Sequence, residues 1–267
     1  MSEPLPAADD REWLAFRATL EKAIGVPLGA YKEPQMKRRL AAVMARRGVA
    51  DWTSFAAAIK TQAPLLDEVR DTLTINVSEF FRQPERFADL QTRIFPALLA
   101  QRKQLKIWSA GCSIGCEPYT LAMILNEIDP RGNHSILATD VDMPILSRAK
   151  DGKGYLASEV RSVPAPMLKK YFAAEGDTYA VTDAVKRMVT FRRHDLLKDA
   201  YPSDLDVILC RNVVIYFTEE AKQQIYAGFT GALRPGGYLF VGGSELISRS
   251  RDLGLKTDGT SLYHRAA

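Results

Sequence analysis

No apolar run in this chain approaches the roughly 20 residues that span a bilayer. Its first residues, MSEPLPAADDREW, are acidic instead of basic-then-apolar. Membrane insertion and a secretory leader are therefore not expected, and the reading is a cytoplasmic protein. Cysteine is scarce, with only Cys112, Cys116 and Cys210. An odd count in a chain of 267 residues does not make a disulfide framework. No His or Cys cluster completes a metal set around Cys112 and Cys116, so buried thiols are expected and a metal is not. Strong charge of one sign is also lacking: 36 Lys and Arg against 32 Asp and Glu leave +4. That is too little to imply nucleic acid without a local cluster. Neither a GxGxxG nor a GK[ST] follows the first expected strand, which excludes a nicotinamide fingerprint and a triphosphate loop. Oligomeric state is not legible here, and a monomer is the default.

What is present divides the chain. Residues 1–10 read as a disordered tail and 11–70 as an all-helical domain. In REWLAFRATLEKAIG, Trp13, Phe16, Leu20 and Ile24 recur three or four apart, and Gly25 closes the segment. PQMKRRLAAVMARRG is opened by Pro34 and closed by Gly48. DWTSFAAAIKTQ has Asp51 as its expected N-cap. Residues 71–84 read as a linker, and 85–267 as a second domain. There LKIWSAG, SILATDVD, MVTFRRHDL, DVILCRN and GYLFVGG are short apolar runs, most of them separated by helical stretches. This alternation predicts an α/β fold with a mostly parallel sheet covered by helices on both faces. The stretch 152–188 is longer than a simple crossover. It predicts a small β-subdomain at about 172–193, in which Thr178–Thr182 pairs with Val189–Arg193 as a hairpin.

In such folds ligands lie at the carboxyl ends of the strands, and those ends carry the candidate residues. The first run leads into a small-residue turn with Gly111 and then a helix with Glu117 in its first turn, KIWSAGCSIGCEPYT. Small residues allow close backbone approach. Glu117 would repel a pyrophosphate and welcome an amino group, or it would simply serve the helix dipole. Asp140 ends the second run and could accept ribose hydroxyls. Asp142 is the better cap for the helix that follows. Asp195 ends the third run and could accept an adenine amino proton, or it could cap. Arg211 and Asn212 end the fourth, with Tyr216 about one helical turn later. No proline follows Asn212, which departs from the [DNS]PP[YFW] motif of DNA amino-methyltransferases. Pro235-Gly236-Gly237 forms a turn into a further strand. A ribose acid, an adenine acid, an amine-seeking glutamate and no phosphate loop together suggest S-adenosylmethionine.

INVSEFFR (75–82), SAGCSIGCEPYT, ATDVD, CRNVVIYF and the late GGSE together resemble the chemotaxis receptor glutamate O-methyltransferase (CheR) family across nearly the whole chain. The resemblance implies a class I, Rossmann-like methyltransferase domain with an antiparallel last strand and a β-subdomain insertion, preceded by an all-α domain. It implies S-adenosylmethionine as cofactor and S-adenosylhomocysteine as product. Asn76, Ser78 and Arg82 would contact the cofactor from the linker. Gly111, Glu117, Asp140, Asp195 with Leu196, and Arg211 with Asn212 would complete its pocket. Arg82 and Tyr216 would lie beside the transferred methyl as catalytic residues, and Phe80 and Phe81 would anchor the linker on the core. Ser78 stands where Thr is common, and Ile114 and Cys116 replace a Thr and a Glu.

Between Lys32 and Arg47 there are six basic residues and one acid. Arg38, Arg39 and Arg46 fall away from Met36, Leu40, Val43 and Met44 on a helical wheel. Such a face can be simply solvated, and RNA binding is another use of it; the resemblance implies a partner, the acid-rich cytoplasmic helices of chemoreceptors, where complementarity would raise association rate more than affinity. The expected activity is protein-glutamate O-methylation for sensory adaptation. The alternatives are a methyltransferase for another substrate and a non-catalytic S-adenosylmethionine sensor.

Overall fold

A computed structural model describes residues 10–74, 78–243 and 245–266. The chain groups into two compact units, Met1–Asn76 with Tyr216–Ala221, and Val77–Ile215 with Lys222–Ala267.

The first unit holds α1 (Asp10–Ile24), α2 (Glu33–Arg47), α3 (Trp52–Thr61) and α4 (Ala63–Thr74). Asp10 already opens α1, and residues 1–9 lie outside the described residues. The three-to-four spacing puts Trp13, Phe16 and Leu20 on one face, where they meet Trp52, Phe55 and Ile59 of α3. Phe16 stacks on Phe55 at 5.1 Å and Trp13 meets Trp52 edge-on at 4.9 Å. Burying each such side chain contributes about 1.5–3 kcal/mol. Met36, Leu40, Val43 and Met44 form the buried face of α2, and Leu65, Val69 and Leu73 that of α4. Pro34 sits in the first turn of α2, and Gly48 ends it at φ +65°. The Asp51 carboxylate accepts the Ser54 amide, capping α3.

Within this unit the basic residues of α2 differ in their surroundings. Arg38 is exposed. Arg46 and Arg47 both pair with Glu68 of α4, at 2.8 and 2.6 Å. Lys37 pairs with Glu33 at 2.8 Å. The Arg39 guanidinium lies 4.8 Å from the centre of the Tyr216 ring. The segment Tyr216–Ala221 joins the unit through a bridge between Tyr31 and Phe217, whose rings are 4.6 Å apart.

The second unit is built on seven strands: β1 (Lys106–Ala110), β2 (Ser135–Asp140), β6 (Val189–Arg193), β7 (Leu205–Cys210), β8 (Leu233–Val241), β9 (Leu255–Thr257) and β10 (Leu262–Arg265). Their order is β6-β2-β1-β7-β8-β10-β9. β6, β2, β1, β7 and β8 run parallel, while β10 is antiparallel to both β8 and β9. The chain therefore works outward from β1 to β6 and returns to β7, which puts the switch point between β1 and β7. Pro235–Gly237 lie in a bulge of β8: Leu205 pairs with Leu233, but Val207 pairs with Tyr238. The helices are α5 (Pro84–Asp89), which passes through a π turn at Leu90–Ile94 into α6 (Phe95–Leu99), then α7 (Cys116–Ile128), α8 (Met143–Asp151), α9 (Ala157–Val160), α10 (Ala165–Tyr171), α11 (Asp183–Lys186) and α12 (Glu219–Ala232). α7 is buried continuously from Pro118 to Leu125, which suits the central helix of an α/β core.

A second sheet of β3 (Tyr155–Leu156), β4 (Phe172–Glu175) and β5 (Thr178–Val181) has the order β3-β5-β4. This corrects the expected hairpin. β5 pairs with β3 and β4, whereas Val189–Arg193 forms β6 on the edge of the main sheet, parallel to β2. Residues 189–193 thus do not belong to the small sheet. Both segments carry the strand signal, and pairing partners are decided by tertiary packing.

Candidate active site

The candidate acids gather where the strand ends meet the switch point. β1 ends in a turn in which the Gly111 and Cys112 amides both donate to the Thr139 carbonyl, at 2.8 and 2.9 Å. Gly111 takes φ +77°, and a Cβ there would stand 2.4 Å from Val213 Cγ2, so the turn and the loop after β7 touch only because no side chain intervenes. Asp140, at the end of β2, accepts the Ser113 amide at 2.9 Å and the Asp142 amide at 3.1 Å, one on each oxygen. Burial pushes its carboxyl above the ordinary range, and these amides oppose the shift. Asp142 occupies the N-cap position of α8.

Asp195, just beyond β6, is 4% exposed. Its Oδ1 accepts the Leu197 amide at 2.9 Å, as a capping aspartate would. Its Oδ2 is buried with no partner among the described residues. Leu196 is buried beside it, its carbonyl taking the Tyr201 hydroxyl at 2.7 Å. His194 packs edge-on against Trp108 and Tyr201, and burial lowers its pKa. It is a core neighbour.

Arg211 is the hub. Its side chain is 3% exposed and its guanidinium lies between the rings of Phe87 and Phe240, at 5.1 and 5.0 Å. It donates to the Arg82 carbonyl and to Gln83 Oε1, both at 2.8 Å, and to Glu117 Oε2 at 3.4 Å. Glu117 Oε1 takes the Ser109 hydroxyl at 2.8 Å. Burial raises the Glu117 pKa, and the Arg211 charge opposes it. Asn212 stands at φ +61°, its amide held at 2.9 Å by Glu245.

The linker is tied to this unit through Phe80 and Phe81. Phe80 is fully buried, edge-on to Tyr155 and Phe172 at 4.8 and 4.9 Å, with its amide on the Glu159 carbonyl. The Phe81 amide donates to Thr120 Oγ1 at 3.1 Å. The Ser78 hydroxyl bonds the Cys116 thiol. Arg82 is half-buried beside Arg211. Phe81 (φ +53°), Gln83 (φ +61°), Ser113 (φ +49°) and Asn212 join the left-handed residues, so backbone strain concentrates around these loops.

The fold thus brings together Ser78, Arg82, Gly111, Glu117, Asp140, Asp195, Leu196, Arg211 and Asn212 within the second unit. Asn76 lies outside the described residues. Tyr216, Arg38, Arg39 and Arg46 belong to the first unit and are described with it. Gln83, which holds Arg211, has no sequence signal; Ser109, which holds Glu117, enters the sequence reading only within the small-residue turn, and Glu245 only as the acid of the Gly-Gly-Ser-Glu run.

Comparison with known proteins matches residues 76–262 to the CheR methyltransferase SAM binding domain and 11–74 to the CheR methyltransferase all-alpha domain. A chemotaxis protein methyltransferase of Listeria monocytogenes is 40% identical over 255 residues, covering 95% of this chain and 97% of that one. Chemotaxis protein methyltransferase 1 of Pseudomonas aeruginosa is 36% identical over 92% of this chain and 94% of its own. A TehB-like SAM-dependent methyltransferase of Corynebacterium glutamicum is 16% identical with a TM-score of 0.39, covering 68% of this chain and 93% of that one.

The residues fit S-adenosylmethionine. Asp195 Oδ2 is a buried acceptor with no donor among the described residues, the kind of group that an adenine amino proton could satisfy. Asp140 accepts the Ser113 and Asp142 amides on different oxygens, and a carboxylate keeps acceptor capacity for further donors. Glu117 is held only loosely by Arg211, which leaves it able to take an ammonium group.

Proposed function

Because the chain belongs to the CheR methyltransferase family, we propose that it transfers the methyl group of S-adenosylmethionine to glutamate carboxylates on acid-rich cytoplasmic helices of chemoreceptors. The products are glutamyl methyl esters and S-adenosylhomocysteine. The observation that carries this reading is the likeness, over nearly the full length, to proteins named as chemotaxis methyltransferases.

When bound, the cofactor supplies a methyl on a sulfonium that is already a leaving group. Asp195 and Leu196 hold its adenine, Asp140 its ribose hydroxyls and Glu117 its amino group. Ser78 and Arg82 act from the linker. The acceptor glutamate, with a reference pKa of about 4.3, is ionised at pH 7 and needs no base. This agrees with a site whose nearby histidine, His194, is packed among aromatic rings. Charge is lost as carboxylate and sulfonium become ester and thioether, so a water-poor pocket favours transfer. Phe87 and Phe240 are buried against Arg211, with Phe81 packed on Phe87, and supply apolar surface. Arg82 orients the acceptor, since a tight ion pair would blunt the nucleophile. Arg38, exposed on α2, meets the acid-rich partner.

The test is incubation with methyl-labelled S-adenosylmethionine and acidic receptor cytoplasmic fragments, followed by mild alkali. Label released as methanol is expected, with Arg82→Ala losing transfer while keeping its fold. Absence of label from a protein that binds the cofactor would overturn the proposed substrate.

A further inference from the structure

One buried acid at this site has no role in the proposed mechanism. Glu245 follows β8 in the Gly-Gly-Ser-Glu run and is 4% exposed. Its Oε2 accepts the amides of Asn212 and Gly242, and its Oε1 is buried with no partner among the described residues. Gly242 permits this arrangement, since a Cβ there would stand 2.4 Å from Glu245 Oε2 and 3.0 Å from the Asn212 nitrogen. The amide of Asn212, in the loop after β7, and that of Gly242, after β8, therefore converge on one carboxylate oxygen. Val213 of that loop rests on Gly111, and Arg211 at its root feels Glu117 and Glu245 together. Nothing else in the described residues accepts the Asn212 amide, whose left-handed backbone needs an external hold.

We propose that Glu245 is a positioning residue for the methyl-transfer site, a carboxylate that fixes the loop Arg211–Ile215 against the Gly111 turn and so sets Arg211 and Asn212 for the cofactor. It acts through backbone amides and touches neither cofactor nor acceptor. The proposal rests on the cofactor assignment and is independent of which protein is methylated.

The test compares Glu245→Ala, Glu245→Gln and Glu245→Asp in the full chain. S-adenosylmethionine binding is measured by calorimetry at a temperature where melting curves show each variant fully folded. Asp206→Asn serves as the control for lost stability, because Asp206 is a buried acid at the opposite end of β7, held by Arg102 and Arg234. Charge-assisted hydrogen bonds to two amides predict that Glu245→Ala weakens binding by about tenfold or more. Glu245→Gln, which keeps an acceptor oxygen, recovers most of that loss, and Asp206→Asn loses melting temperature with unchanged affinity. If Glu245→Ala does not fold, Glu245→Asp, one methylene short of both amides, carries the same expectation. Wild-type affinity in folded Glu245→Ala or Glu245→Asp would overturn the role, as would a Gln variant as weak as Ala. A wild-type protein that fails to bind the cofactor would overturn the cofactor assignment itself, a separate result.

Discussion

Replacing Arg211 by methionine tests how the site is held together. Methionine keeps the volume between Phe87 and Phe240 but removes the charge and three hydrogen bonds. Removing one partner of a buried ion pair costs about 3–5 kcal/mol, because the other charge is left uncompensated. Here Glu117 keeps 15% exposure and the pair is long at 3.4 Å, so the pair itself falls at the low end. Losing the contacts to the Arg82 carbonyl and Gln83 brings the total to about 4 kcal/mol, the terms overlapping. At about 2–4 °C per kcal/mol for a domain of this size, the melting temperature should fall by about 10 °C. The loss must also depend on pH in a stated direction. Without Arg211 the folded-state pKa of Glu117, already raised by burial, rises further above its unfolded value. The penalty is then complete above the folded pKa and relieved as pH falls, so the gap to wild type should narrow from pH 8 to pH 5. Glu117→Gln in the Arg211→Met background should restore part of the loss, with a coupling of roughly 1–3 kcal/mol. A fall below about 2 °C, a gap that widens on acidification, or strict additivity would refute the reasoning.

Two further outcomes are expected. Asp195→Ala should weaken S-adenosylmethionine binding by about tenfold in calorimetry, since a buried acceptor is lost while the fold loses only one capping bond; unchanged affinity would remove Asp195 from the pocket. Burial lowers the pKa of both His134 and His194. Folded protein therefore binds fewer protons than unfolded, and their contribution to stability is lost as pH falls below about 6.5. Imidazole nitrogen resonances should show both rings titrating below the ordinary histidine midpoint, and a normal midpoint at either ring would contradict the burial argument.

Much of this molecule is legible in one dimension because its signals are periodic or terminal. The spacing of Trp13, Phe16 and Leu20 is the buried face of α1, and the runs that end in Gly111, Asp140, Asp195 and Asn212 are the strands whose ends carry the candidate residues. A parallel sheet compels that result, since its ligands lie at carboxyl ends whatever the side chains. Side-chain type then restricts the ligand: acids without a phosphate loop suggest a nucleoside with an amino group, although each acid alone could equally cap or serve a helix dipole. Pairing partners were beyond reach. Thr178–Val181 and Val189–Arg193 look alike as strands, and only packing assigns one to the small sheet and the other to the main edge. The same holds for side chains that act on other side chains. Ser109, Gln83 and Glu245 are 8, 128 and 33 residues from the groups they hold, Glu117, Arg211 and Asn212. Local sequence determined the elements and the chemistry at their ends, because propensity and periodicity are short-range. Tertiary structure alone decided which acid is paired, which is capped and which is left with a buried oxygen, because those outcomes depend on partners that the chain brings together only by folding.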